Sequence, residues 1–244
     1  MHFLKNFTNI LNPHNILKYS KNLQKFFIFF TLYFIICGLF FGLYFNETDF
    51  QQGENYRIIY IHVPFAWLSL LIYISLAVCS LIYLITQHPF FELINKHIAW
   101  LGFTITFLTL ITGSFWGFPV WGTFWVWDAR LTSVFILFLI YLSYIILSSV
   151  STNIKSKNAA SIIAIFGLIN IPIIKFSVNW WNTLHQGISI SIQKTTIELS
   201  MIFPIFFLFF GFIFLLFNIF IYMIRIELIN QKLLTSELIK KNLE

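Results

Sequence analysis

Six apolar runs separated by short polar breaks set the pattern of this chain: 26–45, 58–85, 98–115, 131–150, 159–176 and 197–224. Each approaches or exceeds the roughly 20 mostly apolar residues that a helix needs to cross the hydrocarbon core. A backbone in lipid must satisfy its own polar groups, so runs of this length predict helices. The pattern therefore predicts an all-α integral membrane protein with six transmembrane helices. Residues 1–25 are expected as a basic inner-side segment, 26–224 as the membrane domain, and 225–244 as an inner-side tail. The connections are too short for a soluble module.

Composition agrees with a bilayer protein. Hydrophobic residues make up 59% of the chain and charged residues 10%, against about 25% charged in soluble domains. The charge adds direction. Six spans put both termini on one side, together with the loops 86–97 and 151–158. That side holds Lys5, Lys18, Lys21, Lys25, Lys96, Lys155, Lys157, Arg225, Lys232, Lys240 and Lys241, and the other holds Arg57, Arg130, Lys175 and Lys194. Basic residues gather on the inner side, so both termini are expected to face the cytoplasm or matrix. The net charge of +6 is then a topology signal and does not point to a nucleic-acid partner. The loops 46–57, 116–130 and 177–196 are expected outside.

Several function classes drop out. The first run follows a long basic segment and ends without a small-x-small cleavage site, unlike a signal peptide. The segment before Arg57 lacks arginine, unlike an imported transit peptide. Twelve lysines against three arginines, with abundant Phe, Ile and Asn, suggest an AT-rich genome. An organelle-encoded mitochondrial inner-membrane protein or a bacterial inner-membrane protein fits. Cys37 and Cys79 lie inside predicted spans as small hydrophobes, with no CxxC pair and no CxxCH. No GxxxxGK[ST] phosphate loop occurs, so nucleotide hydrolysis by that route is not expected.

The candidate chemistry sits in one loop. Residues 121–133 read WGTFWVWDARLTS, and with Trp116 four of the eight tryptophans fall within twelve residues. Two histidines belong to the same outer face: His62, one turn into the second span, and His185, in NWWNTLHQGIS. Neutral imidazoles are good axial ligands for haem iron. Tryptophan faces stack on a porphyrin, and arginine matches a propionate bidentately. Arg130 is the first candidate for that pairing and Arg57 the second. Plainer roles compete at each position. Tryptophans also form interfacial belts, although a belt should populate both faces. Asp128 can cap the fourth helix, Arg130 can anchor a lipid headgroup, and a lone interfacial histidine can be structural.

WGTFWVWDARLTS resembles the tryptophan-rich signature W-G-x-x-W-x-W-D-x-R-L-T-S of membrane proteins that handle haem in cytochrome c maturation. Length, six spans and two flanking outer histidines are similar to its smaller member, the haem exporter protein C family. All fixed positions are present: Trp121, Gly122, Trp125, Trp127, Asp128, Arg130, Leu131, Thr132 and Ser133. The resemblance implies haem b, bound transiently as cargo at the outer loop, with His62 and His185 as axial iron ligands. It also implies handover to a membrane-anchored haem chaperone. Further partners would be an ATP-binding-cassette ATPase and membrane subunits of the same complex.

The resulting expectation is a holding site and not an enzyme. Trp121, Trp125 and Trp127 would form one exposed platform for the porphyrin, with Trp116 also binding it, Arg130 would pair with a propionate, and Asp128 would cap or brace the loop. Two alternatives predict different behaviour. A b-type membrane cytochrome would keep its haem for electron transfer. A transporter or respiratory-complex subunit would hold no stoichiometric haem and tolerate loss of both outer histidines.

Overall fold

The computed structural model describes residues 13–47, 49–50, 52–150, 153–185 and 198–241. The described part of each apolar run is mainly helical: α1 (Pro13–Tyr44), α2 (Ile59–Thr86), α3 (Pro89–Trp121), α4 (Ala129–Val150), α5 (Ile154–Phe166), α6 (Asn170–Trp180) and α7 (Leu199–Lys241). A 3-10 turn, Glu54–Ile58, leads into α2, and another, Gly167–Ile169, joins α5 to α6 as one span. Six of these units are long and apolar enough to cross a membrane. Among the described residues the only strand-like pairing is an isolated bridge between Asp49 and Gly53.

The helices overrun the apolar runs. α1 begins at Pro13, inside the segment expected to be a separate basic arm, and α7 continues to Lys241 through the expected tail. Hydropathy reports only the stretch that lies in hydrocarbon, whereas a helix continues while its residues favour it. The expected loop 116–130 also shortens. α3 runs through Trp121 and ends at Gly122, whose φ of +71° suits a left-handed C-cap, with its N–H bonded to the Phe118 carbonyl at 2.9 Å. The connection proper is 122–128, so Trp116 and Trp121 are helical.

Packing follows the rules of a bundle in lipid, where small residues and polar contacts bring helices together. α2 lies against α3 and α5, and α4 against α3, α5 and α6; α1 pairs with α7, which also touches α2 and α3. The core of the four central spans is Tyr73, Leu76, Ala99, Leu137, Tyr141, Ala160 and Ala164. Tyr141 fills the space a side chain would take at Gly102 and donates to the Ser69 carbonyl at 3.0 Å. Tyr73 does the same over Gly167, donating to the Ala164 carbonyl at 2.9 Å. Its hydroxyl thus sits beside the 3-10 break of the fifth span, a recognised cause of helix irregularity. Cys37 and Cys79 are half-buried and unpaired, less enclosed than core hydrophobes.

Chain alternation brings the end of α1, the starts of α2 and α4, the ends of α3 and α6 and the start of α7 to one end of the bundle. Both His62 and His185 lie there. The opposite end carries the ion pairs Lys157–Glu92 at 2.6 Å and Lys96–Glu227 at 3.1 Å. His88 and His97 also lie toward that end. His88 caps α3 by accepting from the Phe90 N–H, while His97 is buried.

Candidate functional site

His62 occupies the first turn of α2, two residues before Pro64, which lies inside the helix and cannot supply the N–H that would bond the Tyr60 carbonyl. Its ring is buried against α3. Nδ1 lies 3.0 Å from Thr112 Oγ1, and the ring meets Trp116 edge-on with centroids 5.5 Å apart. Gly113 makes this approach possible, since a Cβ there would stand 2.9 Å from His62 Cε1. The hydrogen bonds favour one tautomer. Thr112 donates its single hydroxyl hydrogen to the Leu108 carbonyl at 2.8 Å, with a second carbonyl, that of Thr109, at 3.2 Å. With that hydrogen on a carbonyl its oxygen is an acceptor, which favours the His62 tautomer with the proton on Nδ1 and, on Nε2, the lone pair that a metal needs.

His185 is held by a different set of contacts, which include α4 and its own strap. Asp128 caps α4, its Oδ1 accepting from the Leu131 N–H at 2.8 Å. Its other oxygen accepts from the Thr183 hydroxyl. Thr183 Oγ1 in turn accepts from the His185 N–H at 3.0 Å. The cap of α4 therefore tethers the strap after α6. Arg130, two residues past the cap, lies with Nη1 3.3 Å from His185 Nδ1 and donates from Nη2 to the Lys175 carbonyl at 3.4 Å. Arg130 Nε is buried with no hydrogen-bond partner.

The tryptophans separate into groups. Trp116 packs on His62 and donates to Gln52 Oε1 at 2.8 Å. Trp121 covers Gly117 and faces His185 with centroids 6.5 Å apart. Trp125 and Trp127 meet edge-to-face at 5.4 Å, and Trp125 also reaches Phe135 of α4. Trp127 is 75% exposed. Trp121, Trp125 and Trp127 thus do not form the one flat platform expected from the sequence. The first belongs with the histidine and the other two form a separate outer wall, with planes 79° apart.

Arg57 has a structural task. Its guanidinium donates to the Gly42 carbonyl at 2.6 Å and the Asn46 carbonyl at 3.1 Å and pairs with Glu54. It closes the carbonyl end of α1, where a cation is favoured. Arg130 is thus the better placed partner for a carboxylate. Thr112, Gly113, Gln52 and Thr183 were not singled out from the sequence. Thr183 had a local signal, a hydroxyl two residues before a histidine. The other three act only through the pairing of helices and loops distant in the chain. The residues 186–197, including Lys194, lie outside the described residues, as do 1–12. Two imidazoles, broad aromatic faces and an arginine with an unfilled buried donor suit a planar anionic ligand bearing a metal.

The comparisons with known proteins agree over nearly the whole chain. A family model described as heme exporter protein C matches residues 6–239. A ccmC-like mitochondrial protein of cytochrome c biosynthesis from Marchantia polymorpha is 51% identical over 87% of this chain and 91% of its own length. A protein of the same description from Arabidopsis thaliana is 43% identical over 91% of this chain and 85% of its own. The heme exporter protein C of Haemophilus influenzae is 40% identical over 90% of each chain.

Proposed function

The chain belongs to the heme exporter protein C family, and from that premise we propose that it holds haem at the outer face of a mitochondrial or bacterial inner membrane. Haem b is its cargo, taken between His62 and His185 and passed to a membrane-anchored haem chaperone for cytochrome c assembly. Trp116 and Trp121 line the histidines, Trp125 and Trp127 form the outer wall, and Arg130 receives a propionate. Asp128 braces the strap that carries His185. The role is one of transport and assembly, and nucleotide hydrolysis belongs to a separate ATP-binding-cassette partner chain.

One observation carries this reading. The two histidines stand at the same end of the bundle, each against a tryptophan of α3, with Arg130 beside one of them. The test is haem content and optical spectrum of the purified protein, with and without the chaperone, for wild type, His62→Ala, His185→Ala and Trp125→Ala. Each histidine variant should lose the six-coordinate spectrum and retain several-fold less haem. Wild-type content and spectrum in both would exclude them as ligands.

A further inference from the structure

The two histidines are prepared unequally, and the difference lies in which ring nitrogen each has engaged. His62 donates from Nδ1 to Thr112, so its Nε2 lone pair is ready for a metal. His185 is in the opposite state. Arginine has donors and no acceptor, so the contact between Arg130 Nη1 and His185 Nδ1 at 3.3 Å makes Nδ1 the acceptor and puts the ring proton on Nε2. In that tautomer neither nitrogen of His185 offers iron a free lone pair while Arg130 stays. Nδ1 has its lone pair committed, and Nε2 has a proton in the way.

We propose that Arg130 is a latch on His185 that a carboxylate of the incoming porphyrin releases, so that His62 takes the iron first and His185 second. This rests on the haem-holding reading above and adds an order and a cargo requirement to it. The latch is a loose one. Both of its contacts, at 3.3 and 3.4 Å, lie beyond the usual 2.7–3.2 Å range. Its buried Nε has no partner. A propionate offers two charged oxygens that match the guanidinium fork, which neither an imidazole nitrogen nor a single carbonyl does.

When the guanidinium turns to the propionate, the proton on His185 Nε2 passes through solvent to Nδ1. The ring stays neutral, and the freed Nε2 lone pair forms the bond to iron. No proton is gained or lost in the exchange. The strap need not move far, because Thr183 keeps the His185 N–H and remains tied to Asp128. The latch selects for a porphyrin that carries both a metal and a free carboxylate near the same edge. A ligand lacking the carboxylate finds only His62.

Ferric haem and its dimethyl ester, added to the purified full-length protein in lipid nanodiscs, separate these cases by optical and electron paramagnetic resonance spectra. Wild type should take haem into a six-coordinate low-spin state. It should take the ester into a five-coordinate high-spin state, with the low-spin signal lost. Arg130→Ala should reverse the second result and ligate the ester in the low-spin state, while retaining several-fold less of the free acid. Equal low-spin binding of acid and ester by wild type would overturn the latch even if the variant failed to fold. A high-spin ester complex in a folded Arg130→Ala protein would overturn it too. Unchanged haem spectra in both His62→Ala and His185→Ala would instead remove the holding site, and this inference with it.

Discussion

His62 depends on the hydroxyl of Thr112, which biases which imidazole nitrogen carries the proton. Thr112→Val keeps the shape and removes the acceptor, leaving a buried Nδ1–H unpaired at a cost of about 1–3 kcal/mol. Haem retention should fall several-fold, with a shifted low-spin signal, while Thr112→Ser stays close to wild type. Equal binding by the Val and Ser variants would show that the hydroxyl does not set the tautomer. At this scale the sequence was partly legible. His62, His185, Asp128 and Arg130 stood out because polar residues at the end of an apolar run are few. Thr112 and Gly113 did not, because LITGSFW looks like ordinary span sequence. Their meaning comes from facing α2, and the residue they face is fifty positions away.

The elements divide the same way between local and distant causes. Six spans were readable because hydropathy is local, and so was the Asp128 cap, confirmed by its bond to the Leu131 N–H. Gly122 was a readable stop for α3, yet the loop was drawn too long, since tryptophans suit a helix end as well as a loop. The break in the fifth span had local signs that were passed over, Gly167 and Pro172, the latter lacking the N–H that would bond the Leu168 carbonyl. The break sits where Tyr73 of α2 lies over Gly167 and bonds the Ala164 carbonyl. Asn170, just after the break, donates to the Ser133 carbonyl at 2.8 Å and so ties α6 to the second turn of α4. The fifth span thereby positions the strap bearing His185. Tyr73→Phe removes one buried hydrogen bond and should lower stability by about 0.5–1.5 kcal/mol. Gly167→Val forces the tyrosine ring aside and should cost more, about 1–3 kcal/mol as an overpacked site. Thermal unfolding in detergent ranks them. A Gly167→Val protein as stable as wild type would mean that the close approach does not hold the break.

For the whole molecule the decisive question is which way the bundle faces, since a holding site serves an outer chaperone only if His62 and His185 look outward. Charge supplies the argument. The end without the site holds the two cross-helix ion pairs Lys157–Glu92 and Lys96–Glu227, and Arg225 joins α7 to α1 there through the Leu17 carbonyl and Ser20. Exposed Lys18, Lys21, Lys25 and Lys232 extend the same basic end. At the site end Arg57 is turned inward onto α1 carbonyls and Arg130 onto His185. α7 adds a geometric sign. Its 43 residues span about 64 Å at 1.5 Å each, roughly twice the hydrocarbon thickness. Because α7 starts at the site end, its excess length projects from the basic end. Basic residues favour the cytoplasmic or matrix side, which predicts that the tryptophan loop faces outward. Single cysteines in a background without Cys37 and Cys79 test this. Thr123→Cys, in the exposed loop, should react with a membrane-impermeant maleimide in intact mitoplasts or spheroplasts. Val150→Cys, exposed at the end of α4, should react only after the membrane is opened. The reverse pattern would place both histidines on the side of the termini, and delivery to an outer-face chaperone would then require haem to cross the bilayer after leaving this site.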